Sequence, residues 1–498
     1  MSFVSLQFLI VVAATILLYF VVPLGFRWYV LLAASSYFYY VAAGIPGILV
    51  ALVTIAIAYF AGIWIEKSAD DRKKRKLYMS VSAVALIGIL AVFKISGLVG
   101  TEISWLIAPL GISYYTLSIV GYLADIYWKK DKAEKDPLKL ILYTLYFPKI
   151  TQGPFSKFRE IGPRLIEGHK FDYKSFTFGA QLILWGYFKK IVIADRAFQL
   201  TGPIFGDLAN YQESGGILLM ATVFAVIRHY CDFSGYMDIV IGISQMMGIK
   251  LEDNFKQPYF SRSSAEFWRR WHMTLGVWFK DYVYMPLVIS PKVIKLSTKV
   301  RKKFGKRAGK SVLTIVPLAV TWLLTGIWHG NGLSYVLWGC YWGIIIILTN
   351  VFEPEIKKLN ARLHIPEEAW WWKVWQTIRT MTIFTFGLLL STLVGYKDLG
   401  LYFSILFGRF RMPSEQFGLL PRLSLMGMNE SSLFLLILSI VVLFVAELMQ
   451  MKGSVRERIA KLPPLVRWIV FGVALYVVIC FGVYGAGYTK AGFAYAHF

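Results

Sequence analysis

The chain has 498 residues, of which 57% are hydrophobic and 16% charged, and its formal net charge is +24. Its apolar residues gather into runs of about 18 to 25 instead of striping amphipathic helices, which excludes a soluble globular protein and marks a polytopic membrane protein. In a soluble chain the charge would suggest nucleic acid, but here the cations sit in short segments between apolar runs, the pattern of cytoplasmic loops; that excludes nucleic acid and leaves membrane lipid as the partner.

In chain order, the apolar runs are 6–26, 28–43, 46–65, 77–99, 103–128, 176–198, 216–247, 313–328, 333–351, 374–394, 433–448 and 465–484. They predict an all-α fold of roughly eleven to thirteen passes, some broken or tilted. The first run lacks a basic leader and an obvious small-residue cleavage site, so it reads as a retained span and not as a signal peptide. Basic loops at 72–76, 129–139, 292–310 and 452–461, taken as cytoplasmic, give one consistent topology with both termini outside. Cys231, Cys340 and Cys480 show no C-x-x-C spacing, which leaves neither a disulfide framework nor a metal site. No fixed-period repeat is visible, and 1–498 reads as one membrane domain: N-terminal spans in 1–112, a motif-bearing core in 113–351 and C-terminal spans in 352–498.

The middle third departs from simple spanning helices. Residues 153–174 and 251–311 turn polar while keeping aromatics, as re-entrant or interfacial segments do where protein or a cavity covers them. Within the second, Phe267, Trp268, Trp271 and Trp278 recur at helical spacing, and an interfacial helix accounts for them. It does not account for His272, because a titratable side chain at membrane depth is costly unless it faces a cavity or a partner. His329 stands in a similar setting, TGIWHGNG, where glycines permit a helix break and the close approach of backbone or ligand. An imidazole there would accept a proton from a hydroxyl nucleophile near neutral pH; the alternative is a histidine that binds a carbonyl freed by the break. Asp232 and Asp238 lie in one apolar run and must pair with cations or face water. Arg228, Lys189 and Lys190 are the candidate partners, and orienting a catalytic histidine is the other reading. The 292–310 segment holds nine Lys or Arg and no acid. Lys302, Lys303, Lys306 and Arg307 would attract the phosphates of a donor, or serve only as a positive-inside anchor.

Five blocks carry a resemblance: FPKITQGPFSKF (147–158), GYFKKIVIADR (186–196), CDFSGYMDIVIG (231–242), FWRRWHMTLGVWFKDYVYMPL (267–287) and LLTGIWHG (323–330). In this order they resemble the bacterial branch of the membrane-bound O-acyltransferase superfamily, whose members modify alginate, peptidoglycan and teichoic acid. The third block departs from the branch's FDFSGYSD form at Cys231 and Met237. The resemblance implies helices around a central funnel, with an acyl group passing from a cytoplasmic thioester to an extracytoplasmic hydroxyl. It implies His329 as the catalytic histidine and His272 as the second. The terminal FAYAHF resembles an aromatic ending of this branch in which the tyrosine relays the acyl group, which would be Tyr495 here; anchoring at the outer interface is the alternative.

The expected function is transfer of acetyl from acetyl-CoA, with no bound cofactor or metal, in a bacterial cytoplasmic membrane. An extracytoplasmic SGNH-type or alginate-type protein is the expected partner. D-alanyl transfer from a carrier protein is the nearest alternative. A secondary transporter, which would show paired halves, and a non-catalytic export scaffold are the others.

Overall fold

The computed structural model describes residues 2–99, 109–209, 215–330, 332–393, 396–408 and 428–484. Among these, regular structure is helical apart from a single antiparallel bridge between Phe255 and Trp271. Seven helical stretches are long and apolar enough to cross a membrane: Leu24–Lys67, Arg72–Ile95, Gly215–Met246, Pro291–His329, Leu333–Val351, Glu430–Met451 and Pro464–Phe481. The protein is thus an all-α, multi-pass membrane protein. Fewer long spans stand here than apolar runs in the sequence, partly because runs 28–43 and 46–65 join into one helix. Run 176–198 is divided by a π-helical turn, and residues 103–108 of another run lie outside the described residues.

The described residues form two compact units, the first within 1–185 and 236–253, the second within 186–235 and 254–494. In the first, α1 (Leu6–Val21) is capped by the Ser5 hydroxyl, which accepts from the Phe8 amide at 3.2 Å. Helix α2 (Arg27–Lys67) breaks at Gly44, whose φ of 65° suits a residue without Cβ, and Pro46 follows with no amide to donate. Buried Arg27 donates to three backbone carbonyls: Val22 at 3.0 Å, Phe20 at 3.2 Å and His169. Helices α3 (Arg72–Val99), α4 (Ile112–Tyr127), α5 (Pro137–Leu145), α6 (Phe158–Ile166) and α7 (Tyr173–Tyr187) follow. The chain between α5 and α6 is buried although polar, and it is held by hydrogen bonds: Tyr143 donates to the Ser156 carbonyl at 3.0 Å and Ser156 donates to Glu252 at 2.6 Å. Lys149 lies there with its ammonium 4.2 Å from the Tyr143 ring centre, and burial pushes its pKa down to about 7.

The second unit contains a π-helical turn (Phe188–Ala194), α8 (Asp195–Gly206), part of α9 (Gly215–Met246), α10 (Ser264–Arg270), α11 (Met273–Phe279), a second π turn (Lys280–Tyr284) and α12 (Met285–Val288). The long α13 (Pro291–His329) and α14 (Leu333–Val351) come next, then α15 (Glu353–Arg362), α16 (Trp370–Thr392), α17 (Tyr396–Gly408), α18 (Glu430–Met451), α19 (Val455–Ala460) and α20 (Pro464–Phe481).

Two expectations need correcting. The basic 292–310 segment is not a loop but the first part of α13, broken only at Gly305, because lysine and arginine are good helix formers. Nor is 267–278 one interfacial helix. It is two seven-residue helices with His272 in a left-handed conformation between them, and Phe267 and Trp271 are fully buried.

Candidate active site

His329 is the last residue of α13, and three glycines set its position. Gly326 lies against Gly339 of α14, and a Cβ at either would come within 3.0 Å of the other's Cα. A Cβ on Gly330 would overlap the Tyr335 ring. The α13–α14 hairpin therefore closes backbone to backbone, and His329 is held in a buried aromatic setting. Trp328 and Trp338 meet its ring at centroid distances of 4.8 and 4.9 Å, both edge-on.

His272 is set by a different device. The chain at 254–256 runs back along 270–273: Lys256 N–H donates to the Arg270 carbonyl at 2.9 Å, and Met273 N–H donates to the Asn254 carbonyl at 3.0 Å. The turn this imposes gives His272 a φ of 47°, a left-handed value that histidine, asparagine and aspartate adopt more readily than most residues. Its ring lies edge-on to Phe233 at 4.9 Å, and Nδ1 faces the Asn254 amide. Burial pushes its pKa down to about 3, so the imidazole is neutral across the physiological range.

Both histidines line one cavity of about 250 Å³, with ring centroids 6.5 Å apart. Trp268, Trp271, Trp322 and Thr325 form much of its wall, and Lys280 also borders it. Trp268 is locked edge-on against Trp322 and Trp342, each at 5.0 Å. An aromatic cavity with two buried imidazoles on its wall can hold a small acyl group and handle one proton.

The family model described as MBOAT, membrane-bound O-acyltransferase family, matches residues 130–393, a stretch that contains both histidines and the whole cavity. The chain belongs to this family. Among curated members, it is 29% identical to the "Probable alginate O-acetylase" of Pseudomonas syringae pv. tomato over 63% of this chain and 59% of that protein. It is 26% identical to the peptidoglycan O-acetyltransferase of Helicobacter pylori over 68% of this chain and 70% of the other. With the teichoic acid D-alanyltransferase of Bacillus subtilis it shares 29% identity over 53% of this chain and 64% of the other. The match thus spans about three fifths of the length of the alginate relative.

Around this membrane-bound O-acyltransferase core, the other sequence candidates fall into separate places. Lys190 donates to Asp232 at 2.6 Å and pairs with Asp195 at 2.8 Å, and Lys189 donates to Ser234 at 3.0 Å. The π turn lets two consecutive lysines both point inward, which an α-helix's 100° step would hinder. Asp232 is therefore in a buried ion pair with Lys190, while the Arg228 guanidinium stacks over Phe198 at 4.4 Å. Asp238, further along α9, is half-buried. Lys302, Lys303 and Lys306 are exposed, but Arg307 is engaged by Glu355 and by the Val351 carbonyl. Tyr495 lies outside the described residues. Among the described residues, no group of His, Cys, Asp or Glu could hold a metal ion.

Sequence reasoning missed Asn254, Lys280 and His229, whose ring stacks parallel on Trp271 at 5.2 Å. For His229 a signal existed, a histidine inside an apolar run. For Asn254 none did, because its partner is reached only through the fold-back at 254–256.

Proposed function

We propose that the protein is a membrane O-acyltransferase that takes acetyl from acetyl-CoA on the cytoplasmic side and passes it to a hydroxyl outside a bacterial cytoplasmic membrane. The observation that carries this reading is the pair of buried histidines on the wall of one aromatic cavity, in a chain of this family. His329 acts as general base: it removes the proton of the attacking hydroxyl as the new C–O bond forms, and returns it to the sulfur when the C–S bond breaks. His272 serves as a second proton-handling or orienting group at the same cavity. Lys280, at the cavity, supplies a cation for the donor's phosphates, and the exposed Lys302, Lys303 and Lys306 draw the donor in from solution. Tyr495 serves as transient acceptor on an outward terminus, handing acetyl to an SGNH-type or alginate-type partner and thence to a polysaccharide. The acetylating relatives favour acetyl over D-alanyl; a carrier-bound D-alanyl thioester is the alternative donor, supported by the teichoic acid relatives.

The test uses purified full-length protein in lipid nanodiscs with labelled acetyl-CoA and a soluble hydroxyl acceptor. Wild type should release coenzyme A and label the acceptor, and His329→Ala should lower the rate about 100- to 10,000-fold, the range of general acid–base catalysis. Retention of more than about a tenth of the rate by His329→Ala would remove it as base. Consumption of a D-alanyl carrier thioester but not of acetyl-CoA would transfer the assignment to the alternative.

A further inference from the structure

We propose that Asn254 is a positioning residue that fixes the tautomer of His272, so that this histidine presents Nε2–H to the acyl carbonyl and acts as a donor, not as a second base. The inference deepens the acyl-transfer reading above and rests on it for its chemical meaning.

The argument begins with the amide of Asn254. Its Oδ1 accepts from the Thr274 backbone amide at 3.0 Å and from the Thr274 hydroxyl at 2.9 Å. A backbone N–H can only donate, so Thr274 sets which end of the amide is oxygen. An amide oxygen has two lone pairs, and Thr274 takes both. On the His272 side, Nδ1 lies 3.1 Å from Nδ2 and 3.2 Å from Oδ1. Were Nδ1 protonated, its hydrogen would face the amide's own N–H and compete for an oxygen already accepting twice. With Nδ1 bare, Nδ2–H donates to it while Oδ1 keeps both Thr274 donors. The neutral ring then carries its proton on Nε2, because one imidazole nitrogen donates when the other accepts.

The backbone reinforces the choice. The Asn254 carbonyl accepts from Met273 N–H, so one residue holds the ring and both amides that follow the left-handed His272. His272 borders the cavity, and its depressed pKa keeps it neutral there. In the reaction the acceptor oxygen bonds to the thioester carbon, its proton goes to His329, and negative charge develops on the carbonyl oxygen. Nε2–H of His272 donates to that oxyanion until the C–S bond breaks and the thiolate takes the proton from His329. A preorganised donor aimed at such an oxygen is worth about 100- to 1,000-fold in turnover.

The test reads the tautomer itself, in full-length protein with ¹⁵N-labelled histidine in lipid nanodiscs, the His272 signal being identified by its loss in His272→Asn. Solid-state NMR at pH 8 should find the proton on Nε2 and none on Nδ1. Asn254→Asp, the same shape with an acceptor in place of the donor, should move the proton to Nδ1. It should also lower kcat for labelled acetyl-CoA about 10- to 100-fold while the donor KM changes less than twofold, a split that loosened folding would not give. A proton on Nδ1 in wild type overturns the proposal without any variant. So does Nε2 still protonated in Asn254→Asp, or a moved proton with kcat unchanged. If wild type transfers no acetyl at all, the proposed function fails by itself, and the tautomer measurement still decides whether Asn254 holds the ring.

Discussion

Gly339→Ala tests whether the closeness of α13 and α14 sets the site. The added Cβ would sit 2.6 Å from the Trp322 carbonyl oxygen and 3.0 Å from Gly326 Cα, where ordinary contact begins at 3.4 Å. The shortfall against the carbonyl is 3.4 − 2.6 = 0.8 Å, and both obstacles are backbone, so the helices must part by about that distance. Alanine in place of a helical glycine favours folding by roughly 0.5–1 kcal/mol, whereas overpacking costs about 1–3 kcal/mol, so the steric effect wins and the variant is less stable. Turnover should suffer more than stability. Trp338, the neighbour of Gly339, meets the His329 ring at 4.9 Å and Trp268 at 5.6 Å, so the cavity wall moves with α14. A misplacement near 1 Å can cost about 100-fold, which puts the expected loss at roughly 10- to 100-fold. The assay is labelled acetyl transfer in nanodiscs beside a thermal unfolding curve. Gly472→Ala in α20, where nothing lies within 4 Å of the added atom, is the control that should keep both properties. Full turnover by Gly339→Ala would show that the hairpin's closeness does not place the catalytic groups.

The remaining predictions address separate parts of the molecule. Lys190→Met strands two buried carboxylates, Asp232 and Asp195, and should destabilise the protein by about 3–5 kcal/mol; an unchanged unfolding midpoint would contradict the pairing. Neutralising Lys302, Lys303 and Lys306 together should raise the donor KM and flatten its salt dependence, and an unchanged KM at low salt would leave these residues only an anchoring role. Tyr495→Phe should stop transfer to an external acceptor while donor binding survives; mass spectrometry of the C-terminal peptide should find labelled acetyl on wild type only, and full transfer by the variant would end the relay. Because the folded pKa of His272 lies near 3, below the unfolded value of about 6.5, the stability it contributes is present above pH 6.5 and is lost as pH falls toward 3. Between pH 7 and pH 5 the unfolding midpoint of wild type should therefore drop further than that of His272→Asn, and equal drops would mean that the ring is not held neutral.

The features legible in the sequence were those written in neighbouring residues. The two histidines could be singled out because each interrupts an aromatic, apolar stretch, and His329 stands where a glycine-flanked helix end was expected. What stayed hidden depends on long-range backbone. Aromatic spacing over 267–278 mimics one continuous helix, and only the fold-back from 254–256 makes it two. The cations of 292–310 read as a loop because charge marks membrane topology, yet charge does not prevent a helix from continuing. Asp232 could be assigned to a cation from its cost at membrane depth, but choosing Lys190 over Arg228 required the π turn.

The left-handed backbone at His272 has a consequence for how its chemistry can be probed. Alanine, the usual replacement, keeps the Cβ but adopts a left-handed backbone less readily than histidine, so the turn would relax and the Trp271 and Thr274 side chains on either side would move with it. A dead alanine variant would then report a reshaped chamber as readily as a missing imidazole. Asparagine keeps a polar side chain at a backbone angle that it tolerates, so it removes the ring and leaves the loop. Selection acting on this position meets the same preference: a left-handed backbone favours histidine, asparagine, aspartate and glycine before catalysis is tested at all.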